Sequence, residues 1–312
     1  MEVILGAGPL SKAVMRELLN KGKRVRVVNS SGKANVPAEV EVVQADLMSA
    51  SGARAALQGA NNVFQCAQPP YHRWEGLFQQ LMGHITEAAS YHQANLVMGD
   101  NLYMYGDVSG PIHEGLPYEA DTRKGKVRAE IAQGLLDLHR KGTVKVAIGR
   151  GADFYGPYVN NSYVGARFFA SVAAGKACSL LGDLDAPHTF TYIDDFGRAL
   201  VTLSEHEDAF GQAWHVPHAE TVSTRQFAEL AYEAAGHSPR IGTMGRGMLR
   251  LGGLFIPAAR EVIEMLYQFE KPFDVDCSKF IRRFGEKAGP TPLRTALKET
   301  IAWHREQATV KV

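Results

Sequence analysis

From Glu2 to about Gly149, short apolar runs rich in β-branched residues alternate with longer stretches in which apolar residues recur every three or four positions. The runs suit strands buried on both faces, the longer stretches suit helices with one apolar side, and their alternation predicts strand–helix units feeding a parallel sheet. Strands are expected over 3–5, 25–28, 40–43, 63–66, 96–98 and 144–148, each followed by polar or glycine-rich residues. Between the fourth and fifth, Trp74, Leu77, Phe78, Leu81, Met82, Ile85 and Ala89 mark one broad apolar helix face. That stripe is expected to pack on the sheet; the alternative is that it also serves a second subunit, in a homodimer through the helices around 74–92 and 124–139. After about residue 155 the rhythm becomes irregular, with a helix over 224–235 set among loops and short apolar runs. The fold expected is α/β. A Rossmann-like, doubly wound parallel sheet spans 1–155 as a dinucleotide-binding domain, and 156–312 form mostly a smaller substrate-binding lobe, with a soft, interleaved boundary.

Composition narrows the partners. The 34 Lys and Arg against 33 Asp and Glu leave a formal charge of +1, too little field to gather nucleic acid or an acidic membrane surface. The three cysteines, Cys66, Cys178 and Cys277, lie far apart and outside any CxxC spacing, which suggests neither a disulfide framework nor a metal site. The chain starts without a basic, apolar or cleavable leader, so a cytoplasmic setting is expected. Its most apolar later stretch, 247–269, is broken by Arg250, Pro257 and Arg260, which argues against a membrane span.

The segment EVILGAGPLSKAVMRELLNKG sets Gly6 and Gly8 directly between a strand and a helix, followed by Pro9, Leu10 and Ser11. Ser11 stands where the third glycine of a GxGxxG pattern would be. A tight turn there brings backbone close to a pyrophosphate, and the helix start directs unpaired N–H groups at it. The second strand ends at Asn29, followed by Ser30, Ser31 and Lys33, with Lys12 just past the glycine turn. An acid at the strand end would bond a ribose 2′-hydroxyl and repel a 2′-phosphate, so this neutral and basic set favours NADP(H) over NAD(H). Asp46 and Leu47 are placed to border the adenine, and Ala67 and Gln68 to flank the cofactor ribose.

In order along the chain, GAGPLS, ADL, QCAQPP, NLYMYG, GRGADFYGP and HTFTYIDDFGRAL resemble the extended short-chain dehydrogenase/reductase superfamily, within its NAD-dependent epimerase/dehydratase group. The resemblance runs from Met1 to about Ala235 and implies a serine or threonine that polarises the substrate oxygen, a tyrosine that exchanges a proton, and a lysine that holds the nicotinamide ribose. Here those positions fall on Asn101, Thr122 and Lys126, and Asp153 of GRGADFYGP joins the cofactor-binding set. An asparagine amide can donate to a substrate oxygen, but a threonine hydroxyl cannot be brought near neutral pKa as a phenol can.

A replacement phenol is available in Tyr103, two residues beyond Asn101 and on the side expected to face substrate. Tyr105 is expected to support structure, while Tyr71, Tyr118 and Tyr155 are further hydroxyls nearby in sequence. His72, His113 and His188 lie at no motif position, and Asp194–Asp195 reads as a helix start. The activity expected is NAD(P)-dependent reduction of a small carbonyl compound. Two alternatives stay open: a sugar-nucleotide epimerase or dehydratase, and a dinucleotide-binding sensor without turnover.

Overall fold

A computed structural model describes residues 1–244, 263–285 and 288–310. The first half alternates β1 (Glu2–Leu5), α1 (Pro9–Asn20), β2 (Val25–Asn29), β3 (Glu41–Gln44), α2 (Ala50–Ala56), β4 (Asn62–Gln65), α3 (Trp74–Tyr91), β5 (Asn95–Asp100), α4 (Arg123–Arg140) and β6 (Val146–Arg150). The chain then crosses into a smaller lobe with β7 (Asp153–Tyr155), α5 (Ala166–Ala173), β8 (Cys178–Leu181), β9 (Pro187–His188) and β10 (Phe190–Tyr192). It returns through α6 (Ile193–Ser204) and β11 (Ala213–His215), then leaves again as β12 (Val222–Ser223), α7 (Thr224–Ala234) and β13 (Ile241–Met244). Helices Ser278–Phe284 and Leu293–Val310 follow.

The main sheet has the order β11-β6-β5-β4-β1-β2-β3, and every pairing in it is parallel. It is the doubly wound α/β sheet expected, with a seventh strand taken from beyond residue 155. The third strand starts one residue later than its apolar run suggests and the sixth two, with Val40 and Val144 buried in the turns that precede them.

Both faces of the sheet are covered, as a parallel sheet requires. On one side Val3, Leu5, Val63, Leu96 and Met98 pack with Phe78, Ile85 and Leu135 of α3 and α4. On the other, Ile4, Val27, Phe64 and Val97 pack with Val14 of α1 and with Phe196 and Leu200 of α6. Trp74, Phe78, Leu81, Met82, Ile85 and Ala89 are all buried in the first of these clusters, so the sheet takes up the stripe on α3, whose outer side carries Gln80, Gly83 and Glu87. The lobe has its own core, in which Phe168, Phe169, Phe227 and Tyr232 meet Leu297 and Ile301 of the last helix. No described helix is long and apolar enough to cross a membrane; of the apolar stretch 247–269, residues up to 262 lie outside the described ones.

The closest helix contact fixes the second face. At Gly197 a Cβ would stand 2.6 Å from the backbone carbon of Ala13, so α6 reaches α1 only because the residue has no side chain. Gly197→Ala should gain up to about 1 kcal/mol of helix propensity but lose more through overpacking against backbone that cannot rotate away. A net destabilisation of about 1–2 kcal/mol in urea unfolding is expected; unchanged stability would mean that α1 shifts freely.

Candidate active site

The strand order reverses between β1 and β4, which opens a crevice at their carboxyl ends. Gly6 crosses its rim at φ +100°, where a Cβ would lie 3.2 Å from the backbone of Ala67. The buried Gln65 side chain ties that neighbouring loop down, donating to the Ala67 carbonyl at 2.7 Å and accepting from its N–H at 3.0 Å. Gly8 is the N-cap of α1; no side chain caps the helix, and a Cβ there would meet nothing within 4 Å. Pro9 has no N–H, and the N–H groups of Leu10 and Ser11 precede the first bond of the helix, Lys12 N–H to Gly8 C=O at 3.1 Å. Uncapped donors under open space fit a pyrophosphate. The side chains of Leu10 and Ser11 turn inward, Leu10 toward Gly99 and Ser11 against the Cys66 thiol.

At the end of β2, the Asn29 side chain organises its own loop. Its Oδ1 accepts from the Ser31 N–H and hydroxyl at 2.9 and 2.8 Å, and its amide donates to the Lys33 carbonyl at 3.2 Å. Ser30 and Lys33 are exposed. Lys12 donates to the Asn35 carbonyl at 2.9 Å and lies 4.5 Å over the Tyr158 ring; burial, then Arg16, lowers its pKa. Asp46 is exposed and accepts from the Met48 N–H at 2.9 Å, while the Leu47 side chain packs into the core rather than outward.

The register of α4 departs from the sequence expectation. Val127, Ile131 and Leu135 face the core, and the side chains buried along with them are Lys124 and Arg128. Residue 126 lies about 200° around the helix from 124, and Lys126 is accordingly exposed. Thr122 is the N-cap of α4, its hydroxyl accepting from the Gly125 N–H at 3.1 Å. The pair one turn apart on the inner face is therefore Lys124 and Arg128, two residues beyond Thr122 and Lys126.

Lys124 bonds Glu264 at 2.8 Å and lies 4.5 Å over the Tyr71 ring. Burial alone would raise the Glu264 carboxyl, but hydrogen bonds from the Lys124 side chain and backbone hold it below its usual pKa. Arg128 donates to Asp100 Oδ1 at 3.0 Å and to Gln68 Oε1 at 3.1 Å, with its guanidinium 4.3 Å from the Trp74 ring and 4.6 Å from that of Phe78. Asp100 ends β5, and its second oxygen faces Arg150 Nε at 3.7 Å; both of these side chains are fully buried.

Arg150 in turn donates to the hydroxyls of Tyr105, at 2.5 Å, and Tyr118. His215 Nδ1 lies 3.1 Å from the Asp276 carbonyl and must donate, which leaves Nε2 to accept from Tyr105 at 2.9 Å. Burial, and then Arg150, depress its pKa to about 3, so the ring is neutral. Tyr105 and Tyr118 are thus structural, and Tyr155 belongs to the core of the lobe.

Asn101 and Tyr103 sit on the turn after Asp100. Asn101 Oδ1 accepts from the Tyr103 N–H at 3.2 Å, a turn bond that leaves its amide N–H groups as donors. Tyr103 is half-buried, 6.3 Å ring to ring from Trp74. Burial first, then Tyr71 and Asp153, push its phenol well above the usual range, with Arg128 pulling the other way. Asp153 is held by His188 Nε2 at 2.8 Å, and His188 packs among Phe190, Phe269 and Phe273. His188 is thus no ordinary loop histidine, whereas His72 and His113 are exposed. Asp194 and Asp195 occupy the first turn of α6, paired with Arg16 and Arg198.

The residues missed in the sequence are Asp100, Lys124, Arg128 and Arg150. The signal for two of them was present, since Val127, Ile131 and Leu135 mark the buried side of α4, and that side contains 124 and 128 but not 126.

The sequence profile of the NAD dependent epimerase/dehydratase family matches residues 3–216. No curated protein matches the chain. Among solved structures, a dTDP-glucose 4,6-dehydratase double mutant from Streptomyces venezuelae, with NAD bound, is 17% identical, with 99% of this chain and 98% of that one covered at a TM-score of 0.80. The UDP-glucose 4-epimerase of Thermus thermophilus, in complex with NAD, is 18% identical over 98% and 99% of the two chains at 0.77. That of Thermotoga maritima, with UDP-glucose, is 16% identical over 99% and 100% at 0.80. At such identities the likeness is one of fold.

Asp100→Asn would leave two buried guanidinium groups without their carboxylate. Breaking a buried pair from one side costs about 3–5 kcal/mol, and urea unfolding of this variant should lose that much. A loss below about 1 kcal/mol, the range of exposed pairs, would show that water already screens the cluster.

Proposed function

The chain belongs to the NAD-dependent epimerase/dehydratase family, and from that premise we propose that it is a nicotinamide-dinucleotide-dependent oxidoreductase acting at a carbinol or carbonyl carbon, with Tyr103 exchanging the proton. The substrate class this reading favours is the nucleotide sugar, in line with the UDP-glucose and dTDP-glucose enzymes that share the fold. The observation that carries it is the Tyr103 phenol on the turn after β5, packed beside Trp74 and lying under the first turn of α4, whose buried side carries Lys124 and Arg128.

When bound, the dinucleotide supplies a hydride acceptor and donor. The N–H groups of Leu10 and Ser11 would hold its pyrophosphate, Ala67 and Gln68 would border its ribose, and the loop from Asn29 to Lys33, with Asp46 nearby, would receive the adenosine end. Asn101 donates an amide N–H to the substrate oxygen. Tyr103 donates its proton to that oxygen when a carbonyl is reduced and takes it back when a carbinol is oxidised. Burial makes the phenol a weaker acid than a free tyrosine, so proton exchange in either direction draws on the Arg128 guanidinium, which favours the anion.

A second reading, net reduction of a small carbonyl compound by NADPH, is favoured by one feature. β2 ends in Asn29 rather than an acid, with Lys33 exposed beside it, a setting that accepts a 2′-phosphate.

The test is transfer of deuterium from C4-labelled NADPH or NADH to two panels, 4-keto nucleotide sugars and simple aldehydes and ketones. Transfer to the first panel supports the main reading, and transfer confined to the second supports the alternative. Tyr103→Phe should slow transfer by about 10²-fold or more, the usual contribution of a positioned proton donor, with calorimetric dinucleotide affinity nearly unchanged. Lys126→Ala should leave both within about twofold, as expected of a surface change. Tight dinucleotide binding without transfer to either panel would make the protein a sensor, and tighter binding of NADH than NADPH would overturn the NADP(H) assignment.

A further inference from the structure

We propose that Arg128 is the positioning cation of this site, a buried guanidinium beside the Tyr103 turn that acts on substrate through the hydroxyl of Tyr103. The inference rests on the reading of Tyr103 above only for its kinetic arm.

Three observations on different elements converge on it. The first is helix register. A Cβ at Gly125 would come 2.6 Å from the Tyr103 carbonyl, so the first turn of α4 lies directly on the Tyr103 turn, and Arg128, three residues on, continues that face. The second is confinement. Asp100 Oδ1, Gln68 Oε1 and the rings of Trp74 and Phe78 hold the guanidinium on separate sides, and Trp74 also packs beside Tyr103. A planar group with fixed donors suits such a seat better than a flexible ammonium. The third is charge. Asp100 is shared by Arg128 and Arg150, so the buried trio carries a net positive charge.

The groups acting on the Tyr103 hydroxyl are Tyr71 ahead of α3, Arg128 on α4 and Asp153 on β7, with Tyr267 of the C-terminal segment also near. Among them Arg128 alone favours the anion that forms when the phenol gives up its proton. Its partners explain its rigidity: Gln68 is on the rim of the dinucleotide crevice and Asp100 precedes Asn101, so one side chain ties the cofactor side to the substrate side.

The test reads Tyr103 directly. A fluorotyrosine placed only at position 103 of the full chain is titrated by ¹⁹F NMR without cofactor. In Arg128→Gln, which keeps a donor toward Asp100, the midpoint should rise by about one pH unit or more, as loss of a nearby opposite charge implies, and Arg128→Lys should fall between the two. If Arg128→Gln does not fold, Arg128→Met, which leaves Asp100 paired with Arg150 alone, carries the same titration. An unchanged midpoint overturns the proposal.

In the labelled-hydride assay, Arg128→Gln should be slowed at least tenfold with dinucleotide affinity held within a few-fold, and Arg128→Lys should recover part of the rate. A rate equal to that of the unaltered chain also overturns it. If the unaltered chain transfers no label, the functional reading fails, while the titration still decides the role of Arg128.

Discussion

The Asp100 carboxylate, buried at the end of β5 between Arg128 and Arg150, is the interaction on which the site depends. Arg128 comes from α4 and Arg150 from the end of β6, so one side chain joins a strand, its neighbour in the sheet and the helix between them. Arg150 passes the constraint to Tyr105 and Tyr118, fixing the chain that leads from β5 to α4, and Tyr105 passes it to His215 on β11. The turn that carries Asn101 and Tyr103 is thereby held at both ends. Buried ion pairs contribute little net stability relative to well-packed apolar groups. The physical effect of this one is placement: it permits one register of α4 and one path for the Tyr103 turn.

The resemblance read from the sequence puts the usual tyrosine and lysine positions at Thr122 and Lys126. A threonine there becomes a helix cap, and the helix turns so that Lys126 meets water. The inner face then presents Lys124 and Arg128, with Lys124 paired to Glu264 and Arg128 to the Asp100 carboxylate that Arg150 shares. The phenol proposed for proton exchange is Tyr103, on the turn after β5 rather than on α4. The dinucleotide end, by contrast, needs only backbone donors and a close turn, which Gly6, Gly8 and the open start of α1 provide.

The parallel sheet was legible in the sequence because strands buried on both faces are nearly continuous apolar runs, and the glycine turn because it falls between a strand and an amphipathic helix. The interleaving was legible only in outline. β11 is three residues long, Ala213–His215, and its neighbours resemble the irregular lobe around it. The lysine was placed by its spacing from a motif, whereas the buried side of α4, with Lys124 and Arg128, is set by residues such as Val127, Ile131 and Leu135. Asp100, Arg150 and the Asp153–His188 pair could not be read at all, since their meaning lies in partners 28 to 50 residues away, as with Asp100 to Arg128 and Arg150, or 35 residues away, as with His188.

The most direct measurement of the account is a crystal structure with the oxidised dinucleotide bound. The pyrophosphate is expected over the N–H groups of Leu10 and Ser11, the nicotinamide end bordered by Tyr103 with Arg128 still bonded to Asp100, and Lys126 in solvent. A nicotinamide ribose hydrogen-bonded to Lys126, with α4 turned to bring Thr122 toward the ring, would contradict it.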